Sequence, residues 1–216
     1  MFKSLASILI ILLHLSPGNG TFEQLQLVFT WPTAFCHKVN CVRIPNNFTI
    51  HGLWPDNKSR RLNFCKSTKY IKSTDEGKKA YLEYRWPNLT TTEVESKKNQ
   101  FFWEKEYIKH GTCCLPLYDQ NAYFKLAVDL KDKFDLLNLL GKHGIRPGTT
   151  HLTSQKIANA IRTETRGIPN ISCYDDFQGT SELLEIGICF DPNAIVKNCF
   201  RPKSCLPKGT TGVTFP

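Results

Sequence analysis

Polar and apolar residues alternate through Leu25-Gln26-Leu27-Val28-Phe29-Thr30, the period of a half-buried strand, and Trp31-Pro32 closes it. Phe48-Thr49-Ile50-His51 alternates as well, with Phe48 and Ile50 on one face and Thr49 and His51 on the other. Gly52 and Pro55 predict the end of that strand, which leaves His51 at its tip. Residues 58–85 are polar, charged and weakly periodic, an exposed stretch with room for one helix. A helix is predicted over 99–110, stopped by Gly111. The clearest helix is 122–140, where Ala127, Leu130, Phe134 and Leu137 recur at steps of three and four. Ser154 opens another, which turns Ile157 and Ile161 inward and ends at Gly167. The apolar, β-branched run 183–190 predicts a central buried strand. Strands at both ends with helices grouped between them predict an α+β domain, not an alternating βαβ fold. No repeat or low-complexity linker divides the chain, so one compact domain is expected.

The first residues stand apart from this pattern. Lys3, the apolar run from Leu5 to Leu13 and the small residues Ser16-Pro17-Gly18-Asn19-Gly20 are the parts of a secretory signal peptide over 1–20. That run falls short of the about 20 apolar residues that span a bilayer, and no later segment is long enough either. The mature domain is therefore expected to cover 21–216. Nine cysteines in a chain with such a leader predict a disulfide framework, with one thiol left over at or near the Cys113-Cys114 pair. Structural zinc would need paired C-x-x-C spacing, which is missing here. Asn47, Asn57, Asn88 and Asn170 each open an Asn-x-Ser/Thr triplet that can carry glycan on a secreted chain. The formal charge is +9, with Lys3 of the leader included. That balance suits a polyanionic partner, though charge alone does not separate RNA from cell-wall acids or anionic membrane.

The chemistry-bearing residues collect in two places. In the helix predicted over 99–110, Phe102, Glu106 and His110 are four apart and share a face, with Lys109 adjacent. A helix end with a favourable acid–imidazole pair and a cation at its negative pole would look the same. His51 shifts that balance, because it stands before a Gly-Leu-Trp-Pro turn from which an imidazole can project into a cleft. His14 lies in the leader, and His37, His143 and His151 lack comparable neighbours. Two histidines beside a carboxylate, a lysine and aromatic surface fit general acid–base cleavage of a phosphodiester. Imidazole, with an ordinary pKa near 6.5, both takes and gives protons near neutrality. One would take the proton of a ribose 2′-hydroxyl and the other would protonate the departing 5′-oxygen. Lys109 and a glutamate would stabilise charge on the phosphorus oxygens. Such chemistry calls for no metal or other cofactor, and DNA lacks the attacking hydroxyl.

The segments Phe48-Thr49-Ile50-His51-Gly52-Leu53-Trp54-Pro55 and Phe102-Trp103-Glu104-Lys105-Glu106-Tyr107-Ile108-Lys109-His110-Gly111-Thr112-Cys113 resemble the two active-site signatures of the ribonuclease T2 family. The resemblance runs from about Phe22 to Pro216. Residues 27–36 and 183–191 make it closest to the S-RNases, the stylar ribonucleases of gametophytic self-incompatibility. It implies an α+β fold with a central antiparallel sheet, flanking helices and disulfide staples. It implies His51 as general acid, His110 as general base, and Glu106 and Lys109 as supports of the transition state. Trp54 resembles a base-stacking residue. Phe102, Asn88 and Leu89 match a second base pocket, although a packed aromatic and a turn would read alike. Lys105 stands beside Glu106 where many relatives have a histidine and is expected among the substrate-binding residues, and Thr30 stands where many have glutamine. The disulfides implied are Cys36–Cys41, Cys65–Cys113, Cys173–Cys205 and Cys189–Cys199, with Cys114 free. Allele-discriminating surface is implied within 58–72 and 89–100, where a solvated loop would have the same composition.

Three functions follow as expectations. One is a secreted, monomeric S-RNase of the stylar matrix that enters pollen tubes, degrades RNA and meets pollen F-box proteins. Another is a family relative serving phosphate recovery or defence. The third is a silent glycoprotein that binds RNA or an F-box protein without cleavage, and the intact His51 and His110 argue against it.

Overall fold

The computed structural model describes residues 22–175, 179–205 and 212–216. The expected leader over 1–20 lies outside them. Four strands form the body of the sheet in the order β2-β1-β4-β3, all antiparallel: β1 Gln24–Thr30, β2 Thr49–Asp56, β3 Asn170–Asp175 and β4 Ser181–Phe190. The short β5 Val196–Lys197 and β6 Val213–Thr214 also pair with β4, the latter in parallel. Seven α-helices accompany the sheet among the described residues: α1 Pro32–Lys38, α2 Glu76–Arg85, α3 Glu93–Asn99, α4 Phe101–Lys109, α5 Gln120–Lys133, α6 Leu136–Lys142 and α7 Ser154–Thr165. The expected α+β architecture is the one observed, with α2 to α7 inserted between β2 and β3.

Alternation in β1 buries Leu25, Leu27 and Phe29 in the core and leaves Gln24, Gln26 and Val28 on the opposite face. β4 is buried almost throughout, as its apolar run predicts, and sits at the centre of the sheet. Ile157 and Ile161 of α7 are fully buried.

Two expectations need correction. β2 does not end at Gly52 or Pro55, and His51 lies within it instead of at its tip. Among the described strands β2 is an edge strand whose one strand partner is β1, so the missing N–H of Pro55 removes nothing the sheet needs. The single helix over 122–140 is two. Phe134 leaves helical geometry, and the Asp135 carboxylate accepts from the Asn138 N–H to cap α6. The periodicity ran on across the break because both helices bury leucines against the same core.

Two outward carbonyls of β2 are taken by buried side chains. The Trp86 indole donates to the His51 carbonyl at 2.8 Å, and the Tyr123 hydroxyl donates to the Leu53 carbonyl at 2.9 Å. Trp103 in turn donates to the Trp86 carbonyl at 2.7 Å. An unpaired buried carbonyl costs about 1–3 kcal/mol, so these bonds both close the edge and fix the backbone that carries His51.

Four disulfides form with the implied pairing, and Cys114 is free and buried. Cys65–Cys113 closes the longest loop, with a sequence separation of 48, and ties the segment before α2 to the 3₁₀ turn Gly111–Cys114 after α4. Replacing both cysteines with serine is expected to cost about 4 kcal/mol on the chain-entropy estimate for a loop of that length. Urea unfolding reads this as a lower midpoint, and a midpoint equal to wild type would show that the link restrains nothing.

Candidate active site

α4 and β2 bring the two signature segments together. Gln100 adopts left-handed geometry, φ 56°, which ends α3 and starts α4 in a new direction. α4 then turns Trp103, Glu106 and Tyr107 inward and ends with His110, itself buried, as its C-cap. Gly111 follows for a steric reason, since a Cβ there would lie 2.3 Å from the Tyr107 ring.

The Trp54 ring joins the two histidines. It stacks on His110 at a centroid distance of 5.2 Å and meets the His51 ring edge-on at 5.1 Å. Its indole N–H donates to Glu106 Oε2 at 3.1 Å. Gly52 makes this possible, because a Cβ there would stand 2.3 Å from both Glu106 Oε2 and Trp54 Nε1. His51 Nδ1 is bonded to Glu185 Oε1 of β4 at 2.6 Å. Neither ring nitrogen of His110 has a hydrogen-bond partner among the described residues.

These surroundings drive the two imidazoles apart. Burial opposes charge on His51, but the Glu185 hydrogen bond and the charges of Glu185 and Glu106 outweigh it, and its pKa is raised. Burial, with Lys109 and His51 nearby, pulls His110 down to about 3. His110 is thus neutral near pH 7, while His51 holds its proton more tightly than free imidazole. Burial raises the Glu106 pKa, partly offset by His51, Trp54 and Lys109. Separated proton affinities in neighbouring groups are what an acid and a base of one reaction need.

His110, Lys109 and Trp54 line a cleft of about 350 Å³ floored by the outer face of the sheet. Gln26, Asn170 and Ser172 contribute to it, with Arg61, Arg201 and Lys203. Arg201 pairs with Asp56 of β2, so its charge is partly committed. On the other side of His51 a smaller hollow of about 80 Å³ is lined by Phe102, Asn88 and Leu89, with Thr30 and Pro87. The three residues matched to a second base pocket are therefore gathered beside His51. Phe102 has its ring 6.3 Å from that of His51, and Leu89 is buried.

Lys105 is exposed and lines neither hollow. Of the glycosylation triplets, Asn47 is exposed and Asn57 is half-buried. Asn88 accepts from the Thr90 backbone and hydroxyl. Asn170 donates to Gln26 in the cleft wall. His37 and His143 do have carboxylate partners, Glu182 and Glu164, but neither has a second imidazole beside it. Sequence reasoning missed Glu185 and the cleft cations. The signal for Glu185 was a lone acid within the apolar run 183–190.

Residues 22–199 match the model of the ribonuclease T2 family. The chain belongs to that family. Its fold, an α+β domain with an antiparallel sheet, is shared with solved members. Ribonuclease S-7 of Nicotiana alata is 53% identical over 218 residues, which cover 98% of each chain. The crystal structure of the self-incompatibility-associated SF11-RNase of Nicotiana alata superposes with a TM-score of 0.84 at 46% identity, over 90% of this chain and 98% of that one. A mutant of RNase MC1 in complex with 5′-GMP superposes at 0.76 with 29% identity, over 89% of this chain and 99% of that one. The protein is thus an endoribonuclease that acts on RNA without a metal, and its similarity is to S-RNases over the full chain. Among the described residues no helix is long and apolar enough to cross a membrane.

Proposed function

We propose that this ribonuclease cleaves single-stranded RNA by transesterification, with His51 as general acid and His110 as general base. The opposed proton affinities of the two imidazoles carry this reading. His110, neutral, takes the 2′-hydroxyl proton as that oxygen attacks phosphorus. His51, protonated, gives its proton to the 5′-oxygen as the P–O bond breaks, which leaves a 2′,3′-cyclic phosphate. Lys109 and Glu106 face the phosphorus oxygens, while Trp54 and the hollow at Phe102, Asn88 and Leu89 receive the flanking bases. Trp54 covers His110 in the free protein, so an incoming base displaces it to expose the catalytic nitrogen.

The biological setting proposed is that of an S-RNase. The protein is secreted as a monomeric glycoprotein into the stylar matrix, taken up by pollen tubes, and degrades RNA in self pollen after discrimination involving pollen F-box proteins. Full-length similarity to Ribonuclease S-7 and to SF11-RNase supports this setting, as does the basic charge.

The direct test digests a short RNA and analyses its ends. Cyclic phosphate termini that appear before any 3′-phosphate are expected, whereas 5′-phosphate ends would exclude attack by the 2′-oxygen. The rate is expected to fall on the alkaline side above pH 6.5, as His51 loses its proton, and on the acid side at a lower pH, as His110 gains one. Initial rates across the pH range check this, and a flat profile would contradict it. For the setting, transcripts confined to the style and co-segregating with incompatibility are expected. Expression in roots under phosphate starvation would assign the protein to another role.

A further inference from the structure

Glu185 is the only charged residue in the apolar stretch 183–190, at the centre of the sheet. A carboxylate in such a strand loses hydration, and its retention asks for a partner. The register supplies one. Glu185 opposes Thr30 of β1, and Thr30 opposes Thr49 of β2. Pairing of β1 with β2 slips by one residue: Val28 faces Gly52 and Phe29 faces Ile50, so His51 is the extra residue of a bulge. The bulge turns the His51 ring across β1, where its Nδ1 meets Glu185 Oε1 at 2.6 Å. The two side chains keep 34% and 18% of their exposure, a shielded pair at the cleft wall. A backbone irregularity in one strand and a lone acid two strands away thus converge on one hydrogen bond.

We propose that Glu185 is a positioning residue for the cleavage reaction: its carboxylate accepts a hydrogen bond from the Nδ1–H of His51, fixes the tautomer and turns Nε2 toward the departing 5′-oxygen. This rests on the reading of His51 as general acid. When the P–O5′ bond breaks, its electron pair stays on the oxygen, which takes the Nε2 proton. The neutral imidazole left behind keeps its Nδ1–H on Glu185, ready to be reprotonated at Nε2. A carboxylate behind a histidine plays this part whenever the ring must hold one orientation through a change of charge. The other charges facing His51 come from α4: Glu106 adds to the effect of Glu185, Lys109 opposes it, and His110 opposes it when protonated.

Two variants separate the components. Glu185→Leu removes the acceptor, and Glu185→Gln keeps an acceptor oxygen but loses the charge. On RNA, Glu185→Leu is expected to lower kcat/KM by at least about 10–100-fold, the loss seen when the partner that orients a metal-bound histidine is removed. On a nucleoside 3′-aryl phosphate, whose phenolate departs without a proton, its loss is expected to be far smaller. Glu185→Gln is expected to recover part of the rate on RNA, with its alkaline limb at lower pH than wild type. Wild-type rates and limbs in both variants would overturn the proposal. So would equal losses on the two substrates, which mark a general structural defect. His51→Asn is the control: if it is inactive while both Glu185 variants behave as wild type, the positioning role alone falls. If His51→Asn is itself fully active, the acid assignment falls first.

Discussion

His51→Asn and His110→Asn are each expected to lower kcat/KM for RNA by about 10²–10⁴-fold, the usual contribution of one positioned acid or base. The side chain is shortened and made unable to carry a proton, while the sheet and α4 remain. His51 is anchored by the Trp86 bond to its carbonyl and by Ile50 and Gly52, which pair with β1 on either side of it, so its ring can change without release of the strand. Circular dichroism should therefore match wild type, and the loss should lie mainly in kcat. The double variant should fall little further than the worse single one, because acid and base act in one concerted transfer. Retention of full activity by both single variants would end the two-histidine mechanism.

His110→Asn should also alter stability, and in acid the change runs opposite to its effect on activity. His110 is 6% exposed, and its pKa falls from 6.5 to about 3 on folding. Between those values the unfolded chain binds a proton that the folded protein refuses, so wild type loses stability as pH drops through this window. The full penalty, reached below about pH 3, is on the order of 5 kcal/mol. His51, with a raised pKa, contributes in the other direction: its stabilisation is present in acid and lost as pH rises through its folded value. Glu106 has a raised pKa as well and behaves alike. Comparison of the variant with wild type isolates the His110 contribution. Near pH 7 the variant is expected to be slightly less stable, since it fills less space under Trp54. In acid it should overtake wild type, with a gain of several kcal/mol read from urea midpoints. Parallel curves at all pH values would mean that His110 is not held neutral. The catalytic base is kept at a cost in acid resistance, the kind of trade expected of functional sites.

Periodicity revealed the elements whose environment is uniform along their length. β1, β4 and α7 each keep one relation to the core from end to end, and their patterns are clean. β2 was cut short because Gly52 and Pro55 ordinarily break strands. Their tolerance depends on an edge position and on the nearness of Glu106, both properties of the assembled sheet. α5 and α6 merged because the apolar spacing passes smoothly through Phe134, although Asp135 could have been recognised as a cap. α3 was overlooked despite a capping box at Thr92 and Glu95, a local signal. At the site, His51 and His110 were legible because their signatures are contiguous in sequence. Their opposed proton affinities were not, since burial in the assembled fold decides them together with partners such as Glu185, 134 residues from His51. Lys105, adjacent in sequence to Glu106, shows the converse: it is exposed and outside both hollows.

The neighbouring cysteines after α4 settle by orientation a choice that chemistry leaves even. Cys113 and Cys114 have the same side chain and one peptide bond between them, and nothing intrinsic tells Cys65 which sulfur to take. The 3₁₀ turn points successive side chains about 120° apart. Cys113 reaches Cys65, while Cys114 faces the core, where burial raises its thiol far above the ordinary range. A thiol held so far from ionising attacks the disulfide beside it only slowly. Once folded, the odd cysteine is therefore a bystander, and the framework is protected from its own spare sulfur by the direction of a single turn.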